Sequence, residues 1–248
     1  IAADPDRARL DALRSELGVR TGEDNAEALR SANVVVLATK PQVFPSVLPA
    51  LGASLRPDAL VVSIAAGIST KIIEGSLPAG ARDVRTMPNT PALVGVGATA
   101  IAGGKHATDA DLALVETLFQ SVGLCVRVPE SQIDAVTGLS GSGPAYVFAM
   151  IEALRDAGVR EGLSEDTSLQ LAAQTVLGAA RLLFEQNEPP ETLRERVTSP
   201  GGTTRAGLDA LEASGFAEVL AGAVRAAARP QSPGQRPLGT SAPAGIQG

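Results

Sequence analysis

The sequence predicts an α/β fold: a largely parallel, helix-flanked sheet domain over residues 1–128, followed by an all-α domain over residues 129–229. Three observations carry this. Short, continuous β-branched runs such as Val34-Val35-Val36 and Val61-Val62 recur before Pro129 and read as strands buried on both faces. Helical segments separate them at βαβ spacing, which implies parallel pairing. After Pro129 the strand signals stop, and apolar residues spread around two long helical segments.

Taken in order, Ile1-Ala2-Ala3 reads as the end of a strand entering a helix. Asp4 is placed to cap that helix, Pro5 to start it and Gly18 to stop it. Asn33 to Ala38 is a strand, Gln42 to Leu51 a helix, Ala59 to Ile64 a strand, and Ser69 to Gly75 a short helix. Asp83 to Met87 and Ala98 to Ala102 are further strands. Asp109 to Val122 is a helix with Leu112, Val115, Leu118 and Phe119 on one face, and Leu124 to Val128 is the last strand. In the second half, Ser142-Gly143-Pro144 opens a helix running to about Ala157, with Gly158 as its stop. Ser164 caps another that reaches about Phe184. Tyr146, Val147, Phe148, Met150, Ile151 and Leu154 encircle the first, and Leu169, Leu171, Val176, Leu177, Leu182 and Leu183 the second. A helix apolar on most sides must be buried on most sides. The rest of this half is too short to enclose both, so a second copy in a two-fold dimer or a larger homo-oligomer is expected. Residues 230–248 are rich in Pro, Gly and Ser without periodicity, and a disordered tail is expected there.

Composition narrows the chemistry. The net charge is -6, with only three lysines, so a nucleic-acid partner is not expected. No apolar run approaches the roughly 20 residues of a membrane helix, and no signal peptide is visible, so a cytoplasmic protein is expected. Cys125 is alone and reads as a small apolar strand residue, which excludes an internal disulfide. His106 is alone in a polar turn, and no metal site is expected.

Ligands of open parallel sheets sit at the carboxyl ends of the strands. Ala38-Thr39-Lys40-Pro41 follows one buried strand, and Lys40 there can reach a phosphate. Ala65-Ala66-Gly67 follows another with side chains small enough for a flat ring to approach. Met87-Pro88-Asn89-Thr90-Pro91 is a loop fixed by two prolines, with Asn89 offering donor and acceptor. Asp4, at the end of the first strand, can accept from ribose hydroxyls and would repel a 2′-phosphate. In Ser199-Pro200-Gly201-Gly202-Thr203-Thr204, glycines and hydroxyls lead into a helix, a ready site for a small carboxylate.

These segments, together with Asp134-Ala135-Val136-Thr137-Gly138-Leu139-Ser140-Gly141-Ser142-Gly143-Pro144-Ala145-Tyr146, resemble pyrroline-5-carboxylate reductase over roughly residues 1–229. The resemblance implies a Rossmann-type domain followed by an all-α dimerisation domain. It also implies hydride transfer from NADPH or NADH to the C=N carbon of 1-pyrroline-5-carboxylate, giving L-proline. By that resemblance Ser199, Gly202 and Thr203 hold the substrate carboxylate and Thr204 contacts the ring nitrogen. Asn25, Ala38, Thr39, Lys40, Pro41, Ile64, Ala65 and Ala66 match cofactor contacts, and Asp4 and Asn89 join that set. The family's opening strand and Gly-x-Gly-x-x-Gly turn do not occur in this sequence. The expectation is therefore an incomplete chain with unpaired sheet edges and a weakened grip on cofactor. The alternative is a remnant that only dimerises.

Overall fold

The computed structural model describes residues 1–229, and the expected tail at 230–248 lies outside the described residues. The first half alternates strand and helix: β1 (Ala2–Ala3), α1 (Arg7–Leu17), β2 (Thr21–Gly22), α2 (Asn25–Ser31), β3 (Val34–Leu37), α3 (Phe44–Ser54), β4 (Leu60–Ser63), α4 (Thr70–Glu74), β5 (Arg82–Met87), β6 (Gly97–Gly103), α5 (Asp109–Gln120) and β7 (Gly123–Arg127). Strands β3-β4-β5-β6-β7 form one sheet in that order, parallel except where β6 runs antiparallel to β5. β1 and β2 form a separate parallel pair.

β4 buries both faces, as its sequence required, whereas β3 fully buries only Val35 and Leu37. Val35, Leu37 and Val61 pack with Phe44, Leu48 and Leu51 of α3 on one side. Leu60, Val62, Val84 and Ile101 pack with Val115 of α5 and Cys125 on the other. Cys125 is buried and His106 exposed, both as expected. β1 and β3 do not pair, and Val36 on the open flank of β3 is half exposed.

Three local expectations are corrected. Asp4 does not cap α1: Asp6 does, its carboxylate accepting from the amides of Ala8 and Arg9. Asp4 instead accepts from the amide of Asp6 at 2.9 Å, a two-residue turn around Pro5 that delays the helix. The second-half helix does not stop at Gly158 but runs on to Arg160, and the turn with positive φ falls at Gly162. Gly158 serves packing instead, because a Cβ there would lie 2.7 Å from Ser168 Oγ of the next helix. Short elements β2 and α2, the latter capped by Asp24, were not foreseen.

The second half comprises α6 (Ile133–Val136), a π-helical turn (Thr137–Gly141), α7 (Gly143–Arg160), α8 (Glu165–Gln186), α9 (Pro190–Arg196), α10 (Thr203–Ala213) and α11 (Phe216–Ala227). α6 seats Ile133 against Ala100 and Ala102 of β6, which docks this half on the sheet. α7 and α8 pack on each other, yet their Phe148 (59%), Leu177 (60%) and Phe184 (77%) stay exposed, as does Val219 (66%) of α11. One chain therefore does not bury the apolar circumference of these helices.

Candidate functional site

Because β3, β4 and β5 are parallel, the loops after Leu37, Ser63 and Met87 leave the sheet at the same edge. β6 runs the other way, so its first residues return to that edge. The fold thus lines up Ala38–Pro41, Ile64–Gly67 and Pro88–Pro91, as ligand binding to an open sheet requires.

Asp4, Asn25, Ala38 and Thr39 line one groove between β1 and β3. Ile1, Ala3, Val34 and Val36 add apolar side chains to its lining, so its polar contacts come from Asp4, Asn25 and Thr39. The Asp6 amide holds the Asp4 carboxyl below the usual carboxylate range, with Arg9 Nη1, 3.1 Å away, adding to that. Asp4 is thus a carboxylate at neutral pH, able to accept from hydroxyls. Lys40 and Thr39 are exposed, and Pro41 begins a short 3-10 turn. Ile64 is partly buried, Ala65 belongs to the core, and Ala66 faces outward beside Gly67, whose φ is +75° with open space where a Cβ would stand.

This set fits the ribose and ring portions of a dinucleotide: a carboxylate, an amide and a hydroxyl at the groove mouth, then small residues along the edge. Among the described residues no Gly-x-Gly-x-x-Gly turn opens a helix there, so the fit does not extend to the pyrophosphate.

Asn89 is engaged by the protein itself. Its Oδ1 accepts from the Ala98 amide at 2.8 Å and its Nδ2 donates to the Ser140 carbonyl at 3.1 Å. Together with Pro91, Ser140, Gly143, Pro144 and Val147 it lines a small apolar pocket where the sheet edge meets the start of α7.

Ser199, Gly202, Thr203 and Thr204 lie on a loop and the first turn of α10. Gly201 takes φ +69°, and the Gly202 amide closes a turn on the Ser199 carbonyl at 3.1 Å. With Gly202 as an N-cap lacking a side chain, the first amides of α10 have no helical partner and point outward. α10 packs on α11, and Ser199, Thr203 and Thr204 are exposed. Within one chain this loop makes no hydrogen bond to the sheet domain among the described residues.

A polar joint between the halves was missed in the sequence. Arg85 of β5 is buried and pairs with Asp134 of α6 at 3.0 Å and with Glu130 at 3.5 Å. Glu130 also accepts from the Thr70 amide at 2.6 Å and hydroxyl at 2.7 Å at the start of α4. Burial alone would raise the Glu130 carboxyl, but the Thr70 bonds and Arg85 outweigh it and hold it below its ordinary value. Arg85 inside a strand of the central sheet was the available signal, since a buried guanidinium demands a partner.

Two family profiles match the chain. One described as pyrroline-5-carboxylate reductase dimerisation covers residues 130–232, and one described as NADP oxidoreductase, coenzyme F420-dependent, covers residues 1–67. The pyrroline-5-carboxylate reductase of Synechocystis is 50% identical over 230 residues, covering 92% of this chain and 85% of that protein. The structure of the Coxiella burnetii pyrroline-5-carboxylate reductase superposes with a TM-score of 0.87 at 39% identity, covering 91% of this chain and 84% of that one. That of the Plasmodium falciparum pyrroline carboxylate reductase, solved with NADP bound, gives 0.81 at 33% identity, covering 91% and 83%.

Proposed function

This chain belongs to the pyrroline-5-carboxylate reductase family, and on that premise we propose how its own residues reduce 1-pyrroline-5-carboxylate to L-proline. A bound NADPH or NADH would supply the hydride that reduces the C=N carbon of the protonated ring, leaving the ring nitrogen as the secondary amine. A protonated imine is already electrophilic, so the protein's task is to bind, orient and exclude water rather than to form a covalent adduct.

Asp4, Asn25 and Thr39 take the ribose hydroxyls, and Ala38, Lys40, Pro41, Ile64, Ala65 and Ala66 form the wall along which the cofactor lies. Ser199, Gly202 and Thr203 receive the substrate carboxylate at the free amides of α10, where the helix dipole favours an anion. The Thr204 hydroxyl meets the ring nitrogen. The observation that carries this reading is the alignment of three loops at one edge of a parallel sheet, in a chain 50% identical to a reductase across both halves. A remnant that only dimerises is disfavoured for the same reason, since the sheet half is matched as well as the helical half.

We further propose a homodimer. Pairing through α7, α8, α10 and α11 covers their exposed apolar side chains. It also gives the Ser199–Thr204 loop, which makes no hydrogen bond to the sheet half of its own chain among the described residues, an edge to meet across the interface. The buried thiol of Cys125, whose pKa burial raises, suits a reducing compartment, and the cytoplasm is the proposed location.

The test follows the loss of reduced-nicotinamide absorbance on adding 1-pyrroline-5-carboxylate, with proline measured as product. Stoichiometric proline supports the assignment. Loss of absorbance without proline, or no turnover with either cofactor, overturns it.

A further inference from the structure

Asn89 was grouped with the cofactor contacts, but its surroundings define another task. The π turn at Thr137–Gly141 is followed by Pro144 in the first turn of α7. In a continuing helix the Ser140 carbonyl would accept from the amide of residue 144, and proline has none. That carbonyl is therefore orphaned by the sequence itself, and the Asn89 amide group, 51 residues earlier, fills the vacancy at 3.1 Å. The other end of the carboxamide is held by the Ala98 amide at 2.8 Å, so the side chain cannot swing.

The turn is clamped on two more sides. A Cβ on Gly138 would lie 2.5 Å from the Val224 carbonyl of α11, and one on Gly141 2.5 Å from Met87 Cε of β5. Both glycines thus let the turn sit close against the helical half and the sheet edge together.

We infer that Asn89 is a positioning residue that sets the start of α7 against the carboxyl edge of the sheet, through its bond to the carbonyl that Pro144 leaves unpaired. The inference rests on the reduction proposed above, because that edge and the start of α7 together wall the pocket beside the cofactor wall. A shift of the turn by a fraction of a turn's width would move the substrate-facing wall while leaving the ribose end untouched.

The experiment is a double-mutant cycle on the full chain. In Asn89→Ala the carbonyl is stranded; in Asn89→Ala with Pro144→Ala, residue 144 regains an N–H and the turn bonds itself. For each variant, Tm, the Kd for NADPH by fluorescence, and kcat and KM for 1-pyrroline-5-carboxylate are measured. Asn89→Ala is expected to lower Tm and to lower kcat by about 10- to 100-fold, since small misplacements near the reacting atoms cost that much. NADPH Kd is expected to change less than twofold. Adding Pro144→Ala is expected to recover the part of Tm due to the Ser140 carbonyl, the Ala98 amide staying unpaired, but not kcat. Recovery of kcat together with Tm would make the role purely structural and overturn the inference. A rise in NADPH Kd matching the loss in kcat/KM would overturn it in favour of a direct cofactor contact. Should Asn89→Ala not fold alone, the double variant is compared with Pro144→Ala, and a kcat ratio near one sinks the proposal. Absence of turnover in the unaltered chain fells the functional reading and this inference with it. Failure of this inference alone leaves that turnover intact.

Discussion

Asp83, the second residue of β5, has its carboxyl wholly buried with no hydrogen-bond partner among the described residues, and replacing it by asparagine measures what the fold bears for a charge there. Gly104 lies against it so closely that a Cβ would clash with Oδ1. Burial pushes the Asp83 carboxyl up from 3.8 to about 7, and Glu74 and Glu130 add to the rise. Glu74 is held in place by the Lys105 amide at 2.6 Å, and Glu130 by Thr70 and Arg85, so neither acid can turn away. Because the folded value lies above the unfolded one, the native state retains a proton that the unfolded chain gives up. The corresponding stability is complete below about pH 4, falls by about 1.4 kcal/mol per pH unit as pH rises towards 7, and is gone above it, some 4 kcal/mol in all. Asparagine cannot ionise, so Asp83→Asn should gain on the unaltered protein from pH 5 to pH 7 and level off at pH 8. Urea unfolding of both proteins at pH 5, 6, 7 and 8 reads this directly. Any fixed cost of burying the amide shifts every point equally. A stability difference that is the same at pH 5 and pH 8 would refute the reasoning.

Thr204→Ala should lower kcat/KM for 1-pyrroline-5-carboxylate by about tenfold, the loss expected for one hydrogen bond to a charged group, with NADPH Kd unchanged. Equal losses in both would remove the residue from the substrate site. Arg85→Ala strands Glu130 and Asp134 at the joint between the halves and should cost about 3 kcal/mol in urea unfolding, because breaking a buried pair leaves an uncompensated charge. A cost below about 1 kcal/mol would mean the joint is no more than a surface pair. Asp4→Ala removes the carboxylate at the groove mouth and should tighten NADPH several-fold while weakening NADH, read from the two Kd values. No change in their ratio would place the ribose elsewhere.

Much of the sheet half was legible because its signals are local. Val61-Val62 can be buried on both faces only in a strand covered by helices, and that is where they lie, while Val34-Val35-Val36 form a strand whose Val36 stays half exposed. The loops after those strands followed from parallel pairing. The cap of α1 was misplaced because Asp4 and Asp6 flank Pro5 with equal capping chemistry, and only the backbone turn decides between them. β2, at two residues, is too short to show a period. The Arg85 partners lie 45 and 49 residues away, and no local pattern names them.

By itself the sequence determined the two-part architecture and the succession of strands whose following loops share one edge, and it offered that edge and the start of α10 as expected ligand sites. Each follows from signals local to a few residues. Only the tertiary structure decided that Asn89 answers the Ser140 carbonyl that Pro144 leaves unpaired, that Glu130 ties α4 to Arg85, that Asp83 is buried beside two other acids, and that the Ser199–Thr204 loop makes no hydrogen bond to its own chain's sheet half among the described residues. Those relations join residues distant in sequence, and they are settled by which surfaces the packed sheet and helices bring within bonding distance.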